Sequence, residues 1–159
     1  MVKKISIMEN EVRVNKWPSQ GDVFCFRFDD GCFGYGMVSL SKIDVGPFKN
    51  AIVIYIYNVF SDFLDESVVL SKEELLLPPM ITDNSCWKKN YFRTFKRLDV
   101  SDVDIFPNHY FRNPIRNDLR DSFGEVVTDI KEDIPVGVES LRFYNGVIKE
   151  IERAMNQLV

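Results

Sequence analysis

Histidine and cysteine, the residues on which much metal and nucleophilic chemistry depends, are scarce in this sequence. His109 is the only histidine among 159 residues, which excludes any zinc site or mechanism that needs two histidines. Cys25, Cys32 and Cys86 lack metal-ligand spacing and are odd in number, so we expect reduced thiols in a cytoplasmic protein. Phosphate-binding loops, serine-nucleophile elbows and EF-hand loops are absent. The sequence therefore favours a binding protein without a cofactor or metal over an enzyme.

Long apolar runs are also missing. The longest, Ala51–Tyr57, is too short to cross a bilayer. Lys3 and Lys4 near the start are not followed by the apolar stretch of a secretory signal, so we expect neither a signal nor a membrane anchor. Hydrophobic residues make up 45% of the chain and aromatic residues 13%, which is a folded composition. We expect one domain over residues 1–159, in which residues 1–15 form a mobile or short-strand arm with alternation at Val12 and Val14.

The segment Gly21–Leu40 has the pattern of a β-hairpin that begins the core. Apolar and aromatic residues alternate along it, and Asp30-Gly31 is a strong signal for a two-residue type I′ turn. The register set by such a turn pairs Phe28 with Phe33, Phe26 with Tyr35 and Phe24 with Met37. This register predicts an aromatic and apolar ladder on one face of the hairpin.

Three further segments complete the predicted architecture. Ala51–Val59 is typical of a strand buried on both faces, and Trp87–Leu98 alternates like a half-buried strand. The C-terminal segment predicts an amphipathic helix from apolar residues spaced by three and four, namely Leu141, Tyr144, Ile148, Ile151, Met155 and Leu158. The predicted fold class is α+β, with a strongly bent antiparallel sheet, SH3-like or a partly open barrel, and a C-terminal helix.

Charge is distributed unevenly, although the net charge is only −4. Residues 29–85 carry three basic and nine acidic groups, and residues 98–133 carry four basic and nine acidic groups. Residues 86–97 between them carry five basic groups and no acidic group. Because nucleic-acid binding needs local positive charge, the acidic stretches fit a basic protein partner better.

Acidic clusters in loops are the candidate partner-binding residues. They are Asp65, Glu66, Asp99, Asp102, Asp104, Asp118 and Asp121. The spacing of Asp99, Asp102 and Asp104 resembles a cation loop but lacks the glycine and terminal glutamate of a calcium site. We therefore interpret these carboxylates as a solvated surface that a cationic partner could contact.

The basic stretch over residues 87–97 supports an alternative function. Trp87, Tyr91, Phe92 and Phe95 are interleaved with lysine and arginine, which is the composition of a surface that binds single-stranded nucleic acid. The alternative hypothesis is thus a nucleic-acid-binding β-barrel module that uses this strand.

Several short motifs stand out along the chain, namely Gly21-Asp22-Val23-Phe24, Asp30-Gly31, Gly34-Tyr35-Gly36 with Val38 two residues later, Trp87 with Tyr91-Phe92-Arg93-Thr94, Phe123-Gly124-Glu125-Val126-Val127 and Gly137-Val138. Together they resemble those of the bacterial immunity protein 26 family, over roughly Trp17 to Ile151. The resemblance implies an antidote in polymorphic-toxin or contact-dependent growth inhibition systems. Such a protein would bind and neutralise the C-terminal domain of a cognate toxin, often a nuclease, in the bacterial cytoplasm. The resemblance supplies no catalytic residue.

Overall fold

The structure is a computed structural model that describes residues 2–8, 17–130 and 132–157. In chain order its elements are β1 Ile5–Ser6, β2 Asp22–Phe28, β3 Phe33–Val45, β4 Phe48–Ser61, β5 Met80–Thr82, α1 Ser85–Lys88, β6 Arg93–Arg97, a 3₁₀ turn Val100–Asp102, β7 Tyr110–Arg112, β8 Leu119–Asp121, β9 Gly137–Val138, β10 Leu141–Arg142 and α2 Tyr144–Gln157. The predicted alternation at Val12 and Val14 and the last apolar position of the helix, Leu158, lie outside the described residues.

A bent, unclosed sheet forms the centre of the fold, which confirms the predicted α+β class. Its strand order is β1-β2-β3-β4-β5-β10, and β6 pairs with β2 on the same edge as β1. The long β3–β4 pairing is interrupted by register shifts, the first between Gly34 and Gly36, and such irregularities bend the strands. A smaller sheet, β8-β7-β9, packs beside β5.

Strand β4 passes through the middle of the core, as its composition predicts. Residues 51–57 are all buried. Ile52, Ile54 and Ile56 pack with α2 on one face of the sheet. Tyr55 and Tyr57 pack under loops on the other face. Covering both faces explains why the segment is a nearly continuous apolar run.

The predicted register of the first hairpin is wrong by one residue. Asp29, Asp30 and Gly31 form a three-residue turn, in which Gly31 has φ of +92° and the Phe28 amide donates to the Cys32 carbonyl over 2.8 Å. Phe24 therefore lies opposite Gly36, and Phe26 lies opposite Gly34. A Cβ on either glycine would collide with the opposing ring, so the glycines make room for the phenylalanines.

This shift separates the predicted ladder into two layers. Phe24, Phe26 and Phe28 join the cluster under α2. Tyr35 and Met37 belong to clusters on the other side of the sheet. A one-residue change of register moves a whole strand's side chains to the opposite face, and both faces here are buried enough to accept them.

The predicted strand over residues 87–98 is shorter than expected. Its first part is the helix α1, and β6 begins only at Arg93. The Asp83 carboxylate accepts a hydrogen bond from the Ser85 amide at the start of α1. Trp87 turns into the core, where its ring lies 5.1 Å from Phe24 and 5.2 Å from Phe92. Burial of this indole favours the helical turn over an extended strand.

Helix α2 covers one face of the sheet and confirms the predicted amphipathic helix. Val147, Ile148, Ile151 and Met155 are its buried side chains. Leu141, expected in the helix, belongs to β10 instead. Polar groups of α2 also hold the N-terminal segment, since the Glu152 carboxylate accepts a 2.8 Å hydrogen bond from the amide of Ile5. In the described parts of the chain, no helix has the length and apolar character needed to cross a membrane.

Candidate partner-binding surface

Two long loop segments, residues 62–75 and 98–109, cover the sheet face opposite α2. Leu70 and Leu98 from these loops pack into the cluster around Tyr55. Lys72 joins the loops, because its Nζ lies 2.7 Å from the Asp104 carboxylate and its backbone amide donates to the same group over 3.1 Å. The loops therefore form one continuous surface.

We call the exposed side chains of residues 62–74 and 99–102 the acidic loop surface. Its exposed carboxylates are Asp62, Asp65, Glu66, Glu73, Glu74, Asp99 and Asp102. Three large apolar side chains on the same loops are more than two-thirds exposed, namely Phe63 at 82%, Val69 at 87% and Val100 at 71%. Protein interfaces combine an apolar centre with a polar rim, and exposed apolar side chains next to charged ones can supply both.

Four of the predicted partner-binding residues lie on this surface with exposed side chains. They are Asp65, Glu66, Asp99 and Asp102. The Asp65 carboxylate also accepts hydrogen bonds from the amide and hydroxyl of Ser67, which fixes the local turn. Asp104 is half-buried, and hydrogen bonds from Lys72 hold the pKa of its carboxyl below the usual value. Asp104 therefore joins the loops rather than offering a free charge.

The other two predicted residues lie apart on the smaller sheet, where Asp121 is the last residue of strand β8 and Asp118 directly precedes the strand. Asp118 accepts a 2.9 Å hydrogen bond from Arg120, whose guanidinium also lies 3.3 Å from buried Glu139. Asp121 accepts hydrogen bonds from the backbone amides of Phe123 and Glu125. The predicted residues are thus divided between the two joined loops and the smaller sheet. That these residues bind a partner stays a prediction.

The basic-aromatic stretch lacks the arrangement that base stacking needs. Trp87 and Phe92 are 6% and 2% exposed, and their rings pack inside the core. Arg97 donates to the Asp22 carboxylate over 2.6 Å. Tyr91 stacks on Tyr144 of α2, with ring centroids 5.9 Å apart. The described contacts give the nucleic-acid alternative no support.

His109 is a buried structural residue in this fold. Only 4% of it is exposed, and its Nε2 lies 2.7 Å from the Tyr55 hydroxyl, which accepts a hydrogen bond from the Phe106 amide. Burial lowers the pKa of His109 to about 4, so the ring is neutral at pH 7. Burial also raises the pKa of the Cys86 thiol, which disfavours the thiolate. Among the described residues, no group of three or more possible metal ligands comes together.

Sequence reasoning missed a groove of about 470 Å³ beside His109. Three segments, residues 40–44, 105–109 and 122–123, line it with mostly apolar side chains. Phe123 at its edge is 80% exposed. These segments are far apart in sequence, so no local pattern could have brought them together.

A bent sheet that presents carboxylates and apolar side chains from two joined loops has the features of a protein-binding domain. Comparison with known protein families narrows this class to one family. The sequence model of the family described as Immunity protein 26 matches residues 19–113. The match covers more than half of the chain, and the chain belongs to that family. Family membership supports a toxin-neutralising immunity role and implies a cognate toxin as partner.

The match confirms the family resemblance over a shorter range than the motifs indicate. Phe123–Val127 and Gly137-Val138 lie beyond the matched residues. No curated protein and no solved structure matches the chain.

Proposed function

We propose that this immunity protein neutralises a basic toxin domain, a nuclease, by binding it with the acidic loop surface. A nuclease binds phosphates through a positively charged surface. An array of fixed carboxylates can occupy such a surface as a polyanion mimic. The protein would act without catalysis, in the bacterial cytoplasm, as part of a polymorphic-toxin or contact-dependent growth inhibition system.

The observation that carries this proposal is the set of exposed carboxylates on the two joined loops, in a chain that belongs to an immunity-protein family. Two neighbouring cations are paired with carboxylates of the chain, Lys72 with Asp104 and Arg97 with Asp22. Lys96 donates to the neutral Glu66 carbonyl and keeps its charge, which seven exposed carboxylates outnumber. The exposed carboxylates therefore supply a surface of net negative charge, which favours association with a cationic partner.

Co-purification with the neighbouring toxin tests the proposal. The toxin domain encoded immediately upstream would be tagged and expressed together with this protein. We expect a stoichiometric complex, rescue of growth when the toxin is induced, and loss of nuclease activity from the bound toxin. A complex with a toxin that shows no nuclease activity would contradict the nuclease assignment, and absence of both complex and rescue would contradict the whole proposal.

A further inference from the structure

The loop that follows β4 directs its apolar side chains in two opposite ways. Leu64, Val68 and Leu70 pack inward against the buried cluster around Tyr35. Phe63 on the same loop is 82% exposed. Because three other side chains already attach the loop to the core, the ring of Phe63 is available to a partner. Aromatic side chains supply much of the binding energy in protein interfaces.

A buried hydroxyl fixes the backbone that carries Phe63. The fully buried Tyr35 accepts a 2.9 Å hydrogen bond from the Asp65 amide, and its hydroxyl lies 2.5 Å from that of Ser61. The Ser61 hydroxyl in turn donates to the Phe63 carbonyl over 2.6 Å. Hydrogen bonds therefore hold the chain on both sides of the exposed ring. A loop that is already ordered loses less conformational entropy when a partner binds it.

Exposed carboxylates lie beside Phe63 in this turn. The Phe63 carbonyl and the Asp65 amide approach the same Tyr35 hydroxyl, over 3.4 and 2.9 Å, which brings the two residues to one place. The side chains of Asp62, Asp65 and Glu66 are all exposed. The hydrogen bonds that the Asp65 carboxylate accepts come from neutral donors, so its charge is not cancelled. The ring of Phe63 therefore projects from an acidic turn.

Two cations near this turn leave it with a net negative charge. Lys3, which interacts electrostatically with Asp62, is paired with Asp30 over 3.1 Å. Lys96 donates to the neutral Glu66 carbonyl and keeps its charge. The three exposed carboxylates of the turn outnumber the single charge that Lys96 brings. An aromatic ring on such a turn is complementary to an apolar pocket with a basic border.

We propose that Phe63 anchors the toxin complex by inserting its ring into an apolar toxin pocket bordered by lysine or arginine. This inference rests on the proposed function and deepens it, because it names the anchor on the acidic loop surface and the chemistry of the pocket that receives it. Large side chains at the centre of an interface control dissociation, whereas charges at its rim mainly speed association. Phe63 therefore retains the toxin that the carboxylates attract.

Two equally exposed phenylalanines allow a matched test. With the upstream toxin domain as probe, we expect Phe63→Ala to raise the Kd by roughly 30-fold, mostly through faster dissociation. Phe123→Ala is the control, since Phe123 is 80% exposed but lies in the turn that follows β8 of the smaller sheet. We expect this control to change the Kd by less than about 2-fold.

The outcomes separate this inference from the function on which it rests. Tight binding by the wild type and an equal Kd for Phe63→Ala would overturn the anchor and leave the proposed function intact. A larger loss for Phe123→Ala than for Phe63→Ala would also overturn it. Failure of the wild type to bind the toxin would overturn both. Thermal unfolding checks the variants, and both should keep the wild-type Tm because both rings are exposed.

Tyr35 is a positioning residue for this anchor. Tyr35→Phe removes the hydroxyl and keeps the ring, whose centroid lies 5.9 Å from that of Phe95. We expect this variant to accelerate hydrogen exchange at the Asp65 amide and to raise the dissociation rate several-fold. In a Phe63→Ala background the same change should leave dissociation almost unaltered, because the hydroxyl acts through Phe63. Equal effects in the two backgrounds would overturn the positioning role.

Photo-crosslinking identifies the pocket that receives the ring. p-Benzoylphenylalanine in place of Phe63 keeps an aromatic side chain at the tip of the turn. We expect it to crosslink to an apolar toxin residue whose surroundings include lysine or arginine. A crosslink to a second copy of this chain, or to an acidic or wholly polar toxin surface, would overturn the proposal.

Discussion

His109 shows how a single buried group can make stability depend on pH. Its pKa is about 4 in the folded protein, against an ordinary value of 6.5. Between these values the unfolded chain binds a proton that the folded chain does not, so stability falls as the pH is lowered from 6.5 to 4. The difference corresponds to about 3 kcal/mol of unfolding free energy. Tyr55, its partner, does not titrate in this range, because burial raises its pKa to about 12.

Replacing His109 with Gln tests this dependence. The variant cannot titrate, but its side-chain amide can still accept a hydrogen bond from the Tyr55 hydroxyl. Urea unfolding at several pH values would give the difference in unfolding free energy between the wild type and His109→Gln. As the pH is lowered from 7 to 4, we expect the wild type to lose about 3 kcal/mol of unfolding free energy relative to His109→Gln. Parallel curves would contradict the burial of a neutral imidazole.

Two glycines give a matched pair of alanine substitutions with opposite expected effects. A Cβ at Gly36 would collide with the Phe24 ring and would lie 2.7 Å from the Tyr55 carbonyl oxygen, which is backbone and cannot move aside. We expect Gly36→Ala to lower the free energy of unfolding by about 3 kcal/mol. A Cβ at Gly146 in α2 would have its nearest neighbouring atom 3.5 Å away, which is an ordinary contact. Because alanine favours the helix more than glycine does, Gly146→Ala should raise the free energy of unfolding by about 0.5 kcal/mol. Denaturant unfolding of both variants measures this contrast, and equal effects would refute it.

At the scale of whole elements, the sequence pattern predicts the features that depend only on residues close together in the chain. The burial of β4 and the apolar face of α2 follow from composition and spacing alone, and the structure confirms both. The hairpin register depends instead on rings meeting glycines across two strands, and the Asp30-Gly31 signal fits a two- or a three-residue turn. Trp87 likewise lies in the helix α1 and not in the predicted strand, because its indole packs into the core from there.

The candidate site shows the same limit. Sequence identifies Asp99 and Asp102 as surface charges, but it cannot reveal that Lys72 engages Asp104 across 32 positions of the chain. The groove depends on three segments that only the tertiary fold brings together.

The junction of the two acidic loops can be tested through one backbone amide. The Lys72 amide donates to the Asp104 carboxylate over 3.1 Å, so its hydrogen exchange reports local opening of the junction. We expect Asp104→Ala to accelerate exchange at Lys72 by roughly 5- to 10-fold, with a global destabilisation below about 1 kcal/mol because the ion pair is partly exposed.

Asp99→Ala is the control for this experiment, since it removes the same kind of side chain from the same loop at an exposed position. We expect it to leave exchange at Lys72 unchanged. Equal acceleration by both variants would mean that loss of loop charge, and not the Lys72–Asp104 contact, controls the junction.

At the scale of the whole molecule, the electric field of the protein should govern its rate of association with the toxin. Fields from exposed charges are screened over about 8 Å at physiological ionic strength, so the association rate with the upstream toxin domain should fall as salt is added. Charges that steer an encounter change the association rate more than the dissociation rate.

The position of charge can be separated from its amount with two equal reversals. Asp102→Lys reverses a charge on the acidic loop surface, and Glu125→Lys makes the same reversal in the turn that follows β8 of the smaller sheet. Both side chains are exposed, so both variants should fold and carry the same net charge. We expect Asp102→Lys to slow association roughly 10-fold at low salt and to flatten its salt dependence, with Glu125→Lys close to the wild type. Stopped-flow association at several salt concentrations measures both effects. Equal slowing by the two reversals would show that net charge alone attracts the toxin. The acidic loop surface would then not be the part of the protein that directs association.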